Sequence, residues 1–140
     1  MSTFANAAEV DCYVGGVLRL AAADPHLGPQ LAEASLTLRV TCTDLVAHLT
    51  VDLYDPITVL CNDARLGVDV ELTCSTDFLD AFLRGERRLV ESLAHGEVLA
   101  RGRVSKVLKV LPVIEQAFPY YRQLVAVRER AAGLTPGVPT

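Results

Sequence analysis

The sequence lacks several features that mark common classes of protein. It contains no tryptophan and no apolar run near the roughly 18 residues that a membrane span requires. Basic residues are outnumbered, with 13 Lys and Arg against 17 Asp and Glu, which gives a net charge of -4. Because binding to nucleic acid depends on a basic surface that displaces counterions, this composition excludes a nucleic-acid partner.

Motifs for metal, cofactor and nucleophilic sites are also missing. The three histidines lie in three different predicted elements, and none has a second ligand at helical or hairpin spacing: His26, His48 and His95. The sequence has no G-x-S-x-G, no Walker pattern and no G-x-G-x-x-G. We therefore predict no metal ion, no cofactor and no catalytic residue.

The cysteines and the first residues indicate the compartment. No C-x-x-C pair occurs, and three of the four cysteines fall in predicted strands as small apolar residues: Cys12, Cys42, Cys61 and Cys74. Met1–Asp11 carries no Lys or Arg, whereas a secretory signal begins with basic residues. We expect reduced thiols and a cytoplasmic location.

Apolar residues make up 51% of the 140 positions, enough for one domain with a buried core. Alternation of apolar and polar residues predicts strands at Leu36–Cys42, Leu45–Leu53, Ile57–Cys61 and Val68–Cys74, with a short fifth strand at Glu97–Arg101. The short connections predict that the first four strands form an antiparallel meander.

Helical periodicity covers most of the remaining chain. It predicts N-terminal helices within residues 7–34, two short helices within 76–95 and a long helix over 103–118. Gly85 and Gly96 are expected to end the two short helices. Residues 119–140 are expected to form a C-terminal tail, with a helix over Arg122–Ala132 and a flexible end from Gly133 to Thr140.

The second half of the chain carries an ordered set of short motifs. An alternating strand ends in Leu72-Thr73-Cys74-Ser75-Thr76-Asp77-Phe78, and the next helix ends in Leu83-Arg84-Gly85. After a further short helix comes Gly96-Glu97-Val98-Leu99-Ala100-Arg101-Gly102, and a long helix follows. In this order and spacing, over residues 36–118 and the preceding helix, the chain resembles the sterol carrier protein 2 (SCP2) family.

The resemblance implies a fold and a function. The fold would be α+β, with a five-stranded, mainly antiparallel sheet covered on one face by helices that enclose an apolar tunnel or cavity. An SCP2-like lipid-binding domain would span residues 1–118. The implied function is the binding and transport of a hydrophobic small molecule, such as a sterol, a fatty acyl chain or a polyketide-like compound.

Apolar residues of the helical cover are the candidates for lining such a cavity. Each would serve equally well in an ordinary core, so the prediction concerns the set: Phe78, Leu79, Phe82, Leu89, Leu93, Leu108, Leu111, Phe118 and Tyr120.

An enzyme of specialised metabolism, of cyclase or isomerase type, is the alternative function. It would use the same pocket with a buried carboxylate or His, for which His48, Asp52 and Tyr120 are the candidates. The strand alternation, however, predicts His48 and Asp52 on the solvated face of the sheet. A lining without ionisable groups would favour carriage over catalysis.

One region of this acidic chain is basic. Seven Lys and Arg and only three Glu lie between Arg84 and Lys109. Such a cluster is either a solvated charged face or a surface that attracts anionic lipid headgroups, so peripheral membrane contact is a hypothesis for this region. The sequence is compatible with a monomer and with a homodimer.

Overall fold

A five-stranded mixed sheet forms the centre of the structure. In the computed structural model, which describes residues 3–65 and 67–133, the strands are β1 (Leu36–Cys42), β2 (His48–Leu53), β3 (Thr58–Cys61), β4 (Val70–Cys74) and β5 (Leu99–Gly102). Their order across the sheet is β3-β2-β1-β4-β5. Neighbouring strands are antiparallel except for β1 and β4, which run parallel. The predicted fold class is confirmed.

The predicted meander of the first four strands is wrong, because β4 pairs with β1 instead of β3. The connection between β3 and β4 therefore crosses two strands of the sheet. Two hydrogen bonds align its end with β1: Thr37 donates its amide to the Asp69 carboxylate (3.0 Å), and Asp69 donates its amide to the Thr37 carbonyl (2.9 Å). Strand alternation in the sequence identifies each strand but not its neighbour, so this long-range pairing was missed.

Helices cover the apolar face of the sheet. The first three segments form one rod, consisting of α1 (Ala7–Val10), a π-helical segment (Asp11–Gly15) and α2 (Gly16–Ala23). The others are α3 (Leu27–Ala32), α4 (Thr76–Leu83), α5 (Leu89–Ala94), α6 (Val104–Glu115) and α7 (Phe118–Gly133). None of the described helices has the length and apolar character needed to cross a membrane.

The predicted helix ends agree with the structure where the signal is local. The side chain of Ser75 caps α4 by accepting a hydrogen bond from the Phe78 amide (3.0 Å). Gly85 and Gly96 follow α4 and α5 with positive φ angles of 81° and 78°, which glycine adopts without strain. α5 begins later than its sequence pattern, because Arg88 has an extended backbone.

The C-terminal helix is longer than predicted. It starts at Phe118, so the predicted helix over Arg122–Ala132 is the inner part of α7. Tyr121 is fully buried and donates a hydrogen bond to the Asp80 carboxylate of α4 (2.6 Å). The predicted flexible end lies outside the described residues from position 134 onward. α7 thus packs as part of the same core as the preceding helices.

Near its end, α7 contacts the first described residues of the chain. The Arg128 guanidinium lies over the rings of Phe4 and Tyr13, at 5.5 and 5.2 Å from their centroids. It also donates a hydrogen bond to the Thr3 carbonyl (3.1 Å). Cation–π contacts and this hydrogen bond therefore join the two ends of the described chain.

Gly96 and Gly102 allow a test of what a glycine contributes to this fold. Both have positive φ, but a Cβ on Gly96 would meet nothing within 4 Å, whereas one on Gly102 would lie 2.1 Å from the Asp69 carbonyl oxygen. We expect Gly96→Ala to lower the free energy of unfolding by about 1 kcal/mol. Gly102→Ala should lower it by about 3 kcal/mol or more, because β4 and β5 must also separate. Urea unfolding of both variants measures the two free energies. Equal losses would contradict a role for the close approach of Gly102 to Asp69.

Candidate ligand-binding site

A cavity of about 80 Å³ lies between the helices and the sheet. Only apolar atoms are exposed on its described wall. The sheet contributes alternate residues of β1 and β4, because successive side chains of a strand point to opposite faces. The complete lining is Val14, Val17, Leu18, Leu38, Val40, Leu72, Cys74, Phe78, Leu79, Phe82, Leu83, Leu89, Val98, Val107, Leu111 and Ile114.

Five of the nine residues that the sequence analysis selected lie on this wall. They are Phe78, Leu79, Phe82, Leu89 and Leu111. The spacing of i, i+1 and i+4 places the three α4 residues on one helical face. α4 therefore contributes the largest predicted share of the wall.

The other four selected residues lie away from the wall. Leu93 is half-buried on α5, and Leu108 is 37% exposed because α6 turns Val107 and Leu111 inward instead. Phe118 packs behind the wall, with its ring edge-on to Phe82 at 5.2 Å. Tyr120 also has another role, since its hydroxyl donates to the Asp24 carboxylate at the end of α2 (2.5 Å).

Other parts of the wall come from elements for which the sequence pattern predicted no lining residues. Val14, Val17 and Leu18 belong to the N-terminal helical rod, and Val98 precedes β5. Periodicity shows which side of an element is buried, but it does not show which elements meet around one space.

Two of the three side chains considered for catalysis, His48 and Asp52, lie on the opposite face of the sheet. His48 and Asp52 alternate with the buried residues of β2 and point toward the connection between β3 and β4. The His48 Nε2 atom lies 2.9 Å from the Asp63 carbonyl oxygen, and Arg65 donates to Asp52 (2.6 Å). The sheet therefore separates both residues from the cavity.

Asp63 is the centre of this polar face. Its carboxylate accepts a hydrogen bond from the buried hydroxyl of Thr50 (2.5 Å) and lies 3.6 Å from the Arg39 guanidinium. Burial acts to raise the pKa of Asp63, but the hydrogen bonds from Thr50 and from the Arg65 amide hold this pKa below its usual value. These contacts fasten the crossing connection to the sheet.

A wider depression of about 740 Å³ lies between α2, α3 and the turn that joins β2 to β3. It is open to solvent and carries Arg19, Asp24 and Glu33 among its lining residues. It therefore lacks the apolar enclosure that a hydrophobic ligand needs. Within residues 3–65 and 67–133, no group of three or more His, Cys, Asp or Glu side chains could hold a metal ion.

Solved structures similar to this one identify the fold. Sterol carrier protein 2 from Yarrowia lipolytica, in its apo form, has a TM-score of 0.63 and 19% identity over 84% of this chain and 98% of that chain. Sterol carrier protein domain 2 of Helicoverpa armigera has a TM-score of 0.64 and 14% identity over 85% and 95% of the two chains. The chain has the sterol carrier protein 2 fold. Palmitated SCP2L2 from Aedes aegypti matches with a TM-score of 0.55 and 19% identity over 75% and 93%.

Another similar structure is a much longer protein, in which only one part resembles this chain. The sec-alkylsulfatase Pisa1 from Pseudomonas sp. matches 61% of this chain with a TM-score of 0.55 and 17% identity. The match covers only 14% of the sulfatase chain. No protein-family model matches the sequence, and no curated protein matches it.

The thiols report on access to the cavity wall. Cys12 is exposed, whereas Cys74 lines the cavity and burial raises its pKa to about 12. Because of this raised pKa, nearly all of the Cys74 thiol is protonated at pH 8. Its thiolate fraction is about a thousandfold lower than that of an ordinary thiol. We expect a thiol reagent to label Cys12 rapidly and Cys74 only after unfolding in urea.

Peptide mapping by mass spectrometry after timed labelling measures these rates. A Cys12→Ser variant should lose the fast phase and keep the slow one. Rapid labelling of Cys74 in the folded, ligand-free protein would contradict an enclosed wall.

Proposed function

We propose that this protein binds and carries a hydrophobic small molecule in the cavity between its helices and its sheet. The observation that carries the proposal is the wall itself, which exposes apolar atoms alone throughout its described part. Such a wall favours a ligand that leaves water because of its apolar surface. The names of the similar structures from Yarrowia lipolytica and Helicoverpa armigera, both sterol carrier proteins, support the same class of ligand.

The chemistry of the wall limits how the ligand sits. A buried polar group without a hydrogen-bond partner is costly, and the cavity offers such a group none apart from the weak Cys74 thiol. The buried part of the ligand is therefore hydrocarbon, and its polar group stays at the opening. A sterol, a fatty acyl chain and a polyketide-like molecule with a long apolar part all meet this condition, and the palmitated Aedes aegypti protein supports an acyl chain.

The small volume of the cavity limits what the cavity costs in stability when no ligand fills it. An empty space of 80 Å³ costs about 2 kcal/mol of stability, whereas one of about 300 Å³ would cost about 7 kcal/mol. A ligand that buries about 400 Å² of apolar surface contributes about 10 kcal/mol before the costs of association. The cavity therefore contracts when it is empty and expands around its ligand.

Catalysis has less support than carriage. The three candidates for acid or base chemistry, His48, Asp52 and Tyr120, have polar partners outside the cavity. Among the described wall residues, only Cys74 is ionisable, and its raised pKa keeps it protonated. The wall thus lacks a group that could protonate or deprotonate a bound substrate near neutral pH.

We further propose that the protein works in the cytoplasm and delivers its ligand at a membrane surface. The four cysteines are free thiols, as expected of a reducing compartment. In the region between Arg84 and Lys109, the exposed Arg88 and Arg103 have no ion-pair partner among the described residues. These cations are free to meet anionic lipid headgroups.

Ligand binding is tested by comparing two truncations to alanine. Phe82 lies on the cavity wall, whereas Leu108 lies outside it on α6. We expect Phe82→Ala to weaken binding of a fluorescent fatty acyl probe about tenfold, because contacts with the hydrocarbon are lost. Leu108→Ala should leave the Kd within about twofold, as for most surface changes.

Probe titration measures the Kd, urea unfolding checks that both variants fold, and native mass spectrometry identifies any molecule that copurifies. The proposal fails if the unaltered protein holds no copurified lipid and binds no probe. It also fails if Phe82→Ala alters stability alone.

Membrane contact is tested by charge reversal. We expect the protein to bind vesicles that contain anionic lipid and not neutral ones, with each interfacial arginine contributing about 1 kcal/mol. The double variant Arg88→Glu, Arg103→Glu should lose at least about tenfold in vesicle affinity. Arg122→Glu, at an exposed position of α7, is the matched control. Cosedimentation measures binding, and an equal loss in the control would argue against contact through this region.

A further inference from the structure

Residues 85–97, which we name the flap, reach the cavity through Leu89. The flap contains α5 and connects α4 to the segment that leads into β5. Leu89 within the flap lines the cavity, as do Leu83 just before it and Val98 just after it. Any outward movement of the flap would therefore open the cavity directly to solvent.

Most flap residues contribute little to the core. Ten of its thirteen residues are exposed, including Val90 at 56%. Only Leu89 and Ser92 are buried, and Leu93 is half-buried. The flap is thus seated on the rest of the molecule through a few apolar contacts, a pattern typical of segments that open at low cost.

The hydrogen bonds of the flap are local. The Ser92 carbonyl accepts from the amides of Glu97 (3.0 Å) and Val98 (3.3 Å), and Arg87 pairs with Glu97. Among the described residues, no hydrogen bond joins positions 87–97 to β1–β4 or to α2, α6 or α7. α4 differs from the flap in this respect, since Tyr121 and Asp44 bind it from distant parts of the chain. At its first two residues the flap is joined to α4, since the amides of Gly85 and Glu86 donate to the carbonyls of Phe82 (2.9 Å) and Ala81 (2.8 Å). Positions 87–97 can therefore move without breaking a hydrogen bond to the sheet strands β1–β4 or to α2, α6 or α7.

Glycine stands at both ends of the flap. Gly85 and Gly96 have φ angles of 81° and 78°. A Cβ on Gly96 would meet nothing within 4 Å, and one on Gly85 would meet only the Phe118 ring, at 3.9 Å. Backbone rotation at these two positions is less restricted than at any residue with a side chain.

We infer that the flap is the entrance through which the hydrocarbon ligand reaches the cavity. This inference rests on the proposed ligand-binding function. The flap alone combines a place on the cavity wall, glycine at both ends and local hydrogen bonding in the described chain. The sheet and α4, which form much of the remaining wall, stay in place while the ligand passes.

Two leucine-to-alanine variants distinguish a flap that acts as the entrance from a flap that is a fixed part of the wall. Leu89 of the flap and Leu72 of β4 both line the cavity and are 4% and 8% exposed. Either change to alanine removes the same atoms from the wall. Leu89→Ala also removes one of the few apolar contacts that hold the flap against the core, which raises the fraction of molecules with an open flap. We expect it to raise the association rate constant of the fatty acyl probe about tenfold, whereas Leu72→Ala, which removes wall contacts without loosening the flap, should raise the dissociation rate constant instead.

Stopped-flow fluorescence measures the association rate, and hydrogen–deuterium exchange of the unaltered protein gives a second readout. We expect amides of residues 86–95 to exchange faster than those of α2 and α4, and to slow when the probe binds. Equal association rates in the two variants, or slow exchange in the flap of the free protein, would overturn the entrance while leaving the proposed function intact. Absence of probe binding by the unaltered protein would overturn the proposed function itself, and the entrance with it.

Discussion

The parallel pairing of β1 with β4 is the constraint on which the rest of the structure depends. It places Leu72 and Cys74 of β4 beside Val40 and Cys42 of β1, so that the two strands present one continuous apolar surface. It also ends both strands at the same edge of the sheet. α4 starts at that edge, where the Thr76 amide and hydroxyl donate to the Asp44 carboxylate (3.0 and 2.7 Å). The position of α4 over the cavity follows from this pairing.

The same pairing separates the polar chemistry of the molecule from its apolar site. Because β3 and β4 are not neighbours, their connection crosses the sheet, and its contacts place it on the face opposite the helices. The crossing brings Asp63 onto Thr50 and Arg39, and Arg65 onto Asp52. Polar groups on this face thus find partners with one another, and the cavity on the other face keeps an apolar wall. The two faces have different tasks, one structural and one suited to a hydrophobic ligand.

Local features of this fold could be predicted from the sequence, and long-range ones could not. The start of α4 at Ser75 and its end at Gly85 depend on neighbouring residues, and both are visible in the motif. The partner of β4 depends on residues 32 positions away, for which alternation contains no signal. Leu108 was misplaced for a similar reason. α6 has apolar residues around much of its surface, and only its position against the sheet decides that Val107 faces inward while Leu108 is exposed.

The contact between Arg128 and the first described residues has a consequence for the topology of the chain. Thr3 and Arg128 are hydrogen-bonded although 125 positions separate them in sequence. A short linker between the two end segments would close the backbone into a ring, and a cut in a surface loop would then give a circularly permuted chain with the same interior. Cooperative folding of this core would then not require the helical rod to precede the strands in the chain. The stability of the core depends on the contacts between its segments and not on the order of those segments along the chain.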